Sequence, residues 1–137
     1  MTVAEAVPDW ESVAAAPAVV FGGGPVSPES VIALARGRAA GGDGWVPVLG
    51  DLGTVDIGRD PADVGAEVHS LRIFVGYAGW AAGQLEAEID VGAWFVVDAR
   101  TDDAFTTKPA ELWRRVLRRQ RGRLAMFAWY PTDPETN

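Results

Sequence analysis

The chain has no cysteine, one histidine and no long apolar run, and each scarcity removes a class of function. Without cysteine there are no disulfides, no thiolate nucleophile and no zinc–thiolate centre. With His69 alone, no multi-histidine metal site can form, and a bound metal would need oxygen ligands only. No apolar stretch approaches the roughly 18 residues of a membrane span. The start, "MTVAEAVPDWESVAAAPAVV", has no basic n-region, and acids and prolines interrupt its apolar residues, so it does not read as a signal peptide. A cytoplasmic location is expected. No cofactor and no metal are expected, and no membrane partner.

What is present describes a globular chain. Its 137 residues suit a single domain over 1–130 followed by a polar tail, "PTDPETN", at 131–137. The formal net charge is −7, unevenly placed. Residues 108–123 hold Lys108, Arg114, Arg115, Arg118, Arg119, Arg121 and Arg123 against Glu111, about +6, which leaves about −13 for the rest.

Local signals outline alternating elements. "VVF" (19–21) reads as a short strand ended by glycines. "SPESVIALARG" (27–37) reads as a helix, with Ser27 as N-cap, Pro28 in the first turn and Gly37 as the stop. "WVPVLGDLGTVDIG" (45–58) suggests two strands joined by a glycine turn, with Pro47 pushing the first to a sheet edge. "DPADVGAEV" (60–68) reads as a short helix capped by Asp60. "SLRIFVGY" (70–77) is a buried strand, and a helix is expected from Gly83 to Ile89. "GAWFVVDA" (92–99) reads as another buried strand. "TTKPAELWRRVLRRQRG" (106–122) is a helix with Leu112, Trp113, Val116 and Leu117 on one stripe. "LAMFAWY" (124–130) is a candidate last strand. The alternation implies one layered α+β domain with a mixed sheet.

Three groups of residues invite chemistry. Gly76, Gly79 and Gly83 lie between a strand and a helix, the setting of a dinucleotide loop, and Asp98 follows at the distance of a ribose-binding acid. Their spacing is G-x-x-G-x-x-x-G rather than G-x-G-x-x-G, and Trp80 sits where backbone should approach phosphate. The spacing favours a structural turn, with a small-ligand or nucleotide-binding enzyme as the alternative. "FGGGPV" (21–26) lacks the lysine and hydroxyl of a phosphate loop. Glu86 and Glu88 resemble an acid–base pair, but at i, i+2 on a helix they point about 200° apart. His69 has no cysteine or nucleophile-elbow serine to work with. Arg114, Arg115, Arg118 and Arg119 form a basic helical face opposite the apolar stripe, which suits either solvent or nucleic acid.

Three stretches together carry a resemblance: "VVFGGGPVSPESVIAL", "RIFVGYAGWAAGQLEAEIDVGAWFVVDA" and "FTTKPAELWRRVL". The chain resembles the bacterial YqgE/AlgH family over residues 7–130. The matching positions are Gly23, Gly24, Pro25, Gly76, Tyr77, Gly79, Trp80, Gly83, Gln84, Leu85, Glu86, Glu88, Trp94 and Trp113. The resemblance implies a compact α/β protein with a barrel-like mixed sheet and no established catalysis. It therefore points to a non-catalytic binding or regulatory domain. The expected contact surface is a groove between the Gly22–Pro25 loop and the Gly76–Gly83 turn, using Gly23, Gly24, Pro25, Tyr77, Trp80, Gln84 and Glu88. Two departures stand out. "ALAR" (33–36) replaces a leucine–histidine pair, and some forty N-terminal residues usual in the family have no counterpart before "MTVAEAVPDW". Missing strands would expose a sheet edge that could pair with a second copy of the chain.

Overall fold

A computed structural model describes residues 1–130. Two compact units follow one another along the chain, Met1–Trp80 and the residues from Ala81 on.

The first unit is built on a five-stranded sheet of order β1-β5-β2-β4-β3. Its strands are β1 (Val20–Gly22), β2 (Val26–Ala39), β3 (Trp45–Leu49), β4 (Leu52–Val55) and β5 (Ala66–Tyr77). β1 runs parallel to β5, in register Val20↔Ile73 to Gly22↔Val75. The other pairings are antiparallel, so the sheet is mixed, as expected for an α+β fold. Among the described strands it is open, with β1 and β3 at its edges. Residues 1–3 cover part of the β1 edge: Thr2 bridges Val19, and Val20 N–H donates to the Met1 carbonyl. The β3 edge carries Pro47 and the exposed Val46, Val48 and Leu49. Pro47 has no N–H, which suits an edge and blunts it against pairing.

Segment 27–37 is not a helix. It forms the middle of β2, paired with β5 from Val31 onward. Ala33, Ala35 and Gly37 are buried in alternation, the period of a strand. Ser27 does not cap a helix; it adopts φ +42° where the β2–β5 register shifts. Gly37 is no helix stop either. A Cβ there would lie 2.3 Å from the Glu67 carbonyl oxygen of the neighbouring strand. Local cap signals lost to tertiary pairing.

Asp60 does cap, accepting from Ala62 N–H, but only one 3-10 turn follows (Pro61–Asp63), and the chain is strand again from Ala66. The turn and strand 45–55 match expectation, with the Trp45 ring lying across Gly53. The core gathers Val3 from α1 (Val3–Ala6), Trp10, Ala33, Ala35, Val55, Val64, Leu71 and Ile73. Trp10 is fully buried, and its Nε1–H donates to the Ile57 carbonyl at 3.2 Å. Arg72 is also buried. It donates to the Ala16 carbonyl at 2.8 Å and its guanidinium lies 4.9 Å over the Phe21 ring. Burial pushes its pKa down.

The second unit is helical. α2 (Gln84–Asp90) starts at Gly83, as the sequence indicates. A 3-10 turn (Pro109–Glu111) leads into α3 (Leu112–Arg118), shorter than the 106–122 expected. Two expected strands are absent. Residues 92–99 form turns and irregular backbone, and 124–130 hold α4 (Arg123–Phe127). Both runs are apolar enough for a strand, but they stay largely exposed and make ring contacts instead. Phe95 meets Phe127 at 5.0 Å, and Phe127 stacks on Tyr130 at 5.5 Å. Short apolar runs do not by periodicity alone distinguish strand from helix. The expected polar tail lies outside the described residues. No helix among the described residues is long and apolar enough to cross a membrane.

Candidate functional site

The two glycine-rich segments meet. Gly23 N–H donates to the Val75 carbonyl at 2.8 Å, and Val26 pairs with Tyr77. A Cβ on Gly23 would lie 2.2 Å from the Gly76 oxygen. One on Gly24 would lie 2.4 Å from the Tyr77 carbonyl. Gly76 itself takes φ +70°, and its Cβ would lie 2.4 Å from the Gly24 oxygen. Backbone therefore packs directly on backbone, and only glycine fits at these three positions. At this crossing the two segments of the expected surface are in backbone contact. What the joint presents is aromatic: Tyr77 is 37% and Trp80 40% exposed, and Pro25 is exposed beside Gly24.

Gln84 and Glu88 are committed to local bonds in the second unit. Gln84 Oε1 accepts from Ala81 N–H at 3.0 Å, and Gln84 Nε2 donates to Glu88 Oε1 at 3.1 Å. The Trp94 indole N–H donates to Glu88 Oε2 at 2.8 Å. Glu88 thus anchors the segment after α2 and makes no acid–base pair with Glu86. The Ala81 amide, which a phosphate loop would point at its ligand, is already donated to Gln84. Gly83 takes φ +78° with open space around its Cβ position, so its role is conformational. These details fit a structural turn. His69 is exposed, 3.5 Å from Glu67. No cluster of metal-ligating side chains exists among the described residues.

The four arginines of the α3 segment divide. Arg119 faces inward, donating through both terminal nitrogens to Asp103, one bond at 2.6 Å, and to the Asp98 carbonyl at 3.1 Å. Its bonds hold the Asp103 carboxyl below the usual carboxylate range. Arg114, Arg115 and Arg118 instead line a cleft of about 370 Å3 with Glu111. On the other face of α3, Trp94, Phe95, Leu112, Trp113 and Val116 line an apolar cleft of about 660 Å3. Sequence reading missed Asp103, whose only advance signal was an acid in "TDDAF" ahead of the basic segment.

The Asp103–Arg119 pair has a measurable consequence. Asp103→Asn should cost about 1–3 kcal/mol in urea unfolding at pH 7. Because the folded carboxyl titrates lower than the unfolded one, the pair stabilises above the unfolded pKa near 4 and fades as pH falls through the folded value. The gap between Asp103→Asn and the parent should therefore close on acidification; a gap constant from pH 7 to pH 2 would refute it.

A family profile described as AlgH-like matches residues 1–125. The chain belongs to that family. Its AlgH-like relatives include a UPF0301 protein of Streptomyces coelicolor, 48% identical over 98% of this chain and 72% of the relative. Another, from Thermobifida fusca, is 43% identical over 98% and 73%. Among solved structures, protein DIP2367 of Corynebacterium diphtheriae is similar at TM-score 0.85 and 30% identity, covering 95% of this chain and 70% of that one. The solution structure of the AlgH protein of Pseudomonas aeruginosa is similar at TM-score 0.59 and 26% identity, covering 97% and 73%. The AlgH-like string "GYAGWAAGQLE" thus coincides with the backbone joint at Gly76 and the cap of α2.

Proposed function

We propose that this AlgH-like chain is a non-catalytic binding or regulatory domain, and that its contact surface is the joint of the Gly22–Pro25 loop with the end of β5. The observation that carries this reading is the pair of half-exposed rings, Tyr77 and Trp80, on a support made of close-packed backbone. Large amphipathic rings that are already held in place lose little freedom on binding, which is why they recur at interface centres. Gly23, Gly24 and Pro25 supply the rigid floor beside them. The perturbed carboxylates support the same reading. Asp103 answers to Arg119, and Glu5 to its Thr2 cap, which are structural contacts rather than a poised acid and base.

The test is site-specific photocrosslinking in the bacterial host, with a benzophenone amino acid at Tyr77 or Trp80 and, as control, at Val48. A discrete adduct from the first two positions, absent from Val48, is expected. Adducts equally strong from all three positions, or none from Tyr77 and Trp80, would overturn the reading.

A further inference from the structure

The cleft on the basic face of α3 carries an assignment of its own, independent of the Tyr77–Trp80 reading. Arg114, Arg115 and Arg118 converge on it, and none forms an ion pair with a carboxylate among the described residues. Arg114 is held in position by a bond from Nη2 to the Tyr130 carbonyl at 3.3 Å. Its Nε is buried and has no acceptor among the described residues. A partly buried guanidinium with no carboxylate partner among the described residues is costly, and an anion in the cleft would offset that cost. Glu111, the one acid of the lining, is shared with Lys108 at 3.6 Å.

The second observation is aromatic. The Arg118 guanidinium lies 5.2 Å over the Trp129 ring, and Trp129 is 77% exposed. One face of the indole therefore meets a cation while most of the ring stays open to a planar partner. Three guanidinium groups exceed what a single carboxylate can satisfy and suit the several oxygens of a phosphate. Arginines beside a stacking platform are the arrangement that takes nucleotides without reading base edges.

We propose that this cleft binds a nucleotide unit, with its phosphate on Arg114, Arg115 and Arg118 and its base on the open face of Trp129. The unit can come from single-stranded nucleic acid or from a free mononucleotide. Arg119, bound to Asp103, takes no part.

The full chain is titrated with a labelled oligothymidylate of about twelve nucleotides, with AMP and with inorganic phosphate. The oligonucleotide should bind, with log K falling against log salt at a slope of about −0.7 for one neutralised phosphate. Trp129→Ala should weaken it about tenfold, and Arg118→Gln should weaken it and flatten the slope. Both side chains are exposed, and circular dichroism confirms that the variants fold. Arg38→Gln, an exposed arginine of β2, should leave binding unchanged. AMP competing with the oligonucleotide at equal site concentrations would identify a free nucleotide as the source; AMP failing to compete would identify the strand. The proposal is overturned if the folded chain binds neither, if phosphate binds as tightly as both with Trp129→Ala without effect, or if Arg38→Gln weakens binding as much as Arg118→Gln.

Discussion

Gly76→Ala should lower the stability of the sheet unit by at least about 3 kcal/mol, or roughly 10 °C in Tm for a chain of this size. Two causes add. The residue must hold φ +70°, which a Cβ disfavours, and the new methyl would stand 2.4 Å from the Gly24 oxygen. The second cause is the larger, because the obstacle is backbone and cannot rotate away. Relief requires β1 to move off β5, against the bonds that hold Val20–Gly22 in register. Gly83→Ala separates the two causes. It has φ +78° but nothing within 4 Å of its Cβ position, so only conformational strain of about 1 kcal/mol is expected. Equal losses at the two sites, measured by urea unfolding, would show that the backbone crossing contributes nothing.

Trp10→Ala should cost more, about 3–5 kcal/mol from the cavity alone. The indole is among the largest fully buried side chains and packs with Val3, Leu71 and Ile73. Its removal also strips the Ile57 carbonyl of its donor, a further penalty for a polar group inside the unit. Against a typical total of 5–15 kcal/mol, the loss leaves the chain near unfolding at growth temperature. Trp10→Phe keeps most of the volume and loses the N–H, so its cost should fall well below that of alanine. If Trp10→Phe destabilises as much as Trp10→Ala in chemical denaturation, the hydrogen bond and not the packing dominates, and the cavity account fails.

The legible parts of the fold were those where one strong local pattern faced no competitor. The β-branched run 70–77, the glycine turn between β3 and β4, the start of α2 at Gly83 and the apolar stripe of α3 all appear where the residues indicate. Segment 27–37 misled because Ser27, Pro28 and Gly37 imitate helix punctuation. Each instead serves a strand: two at a register shift, one where a neighbouring carbonyl leaves no room for a side chain. Such information is non-local and cannot be read from a window. The same holds for Arg119 and Asp103, sixteen residues apart, and for Trp129, whose contact with Arg118 exists only because α4 turns back where a strand was expected. At the glycine joint, the identities of Gly23, Gly24 and Gly76 were legible and their meeting was not.

Because that joint is made of main chain, it has no side chains to repack. A hydrophobic contact can drift through graded substitutions, each compensated by a neighbour. A crossing of peptide planes at Gly23, Gly24 and Gly76 offers no such intermediate steps. Tyr77 and Trp80, one and four residues beyond it, remain open to incremental change, so variation can retune what the surface presents while the frame beneath it is either kept whole or lost.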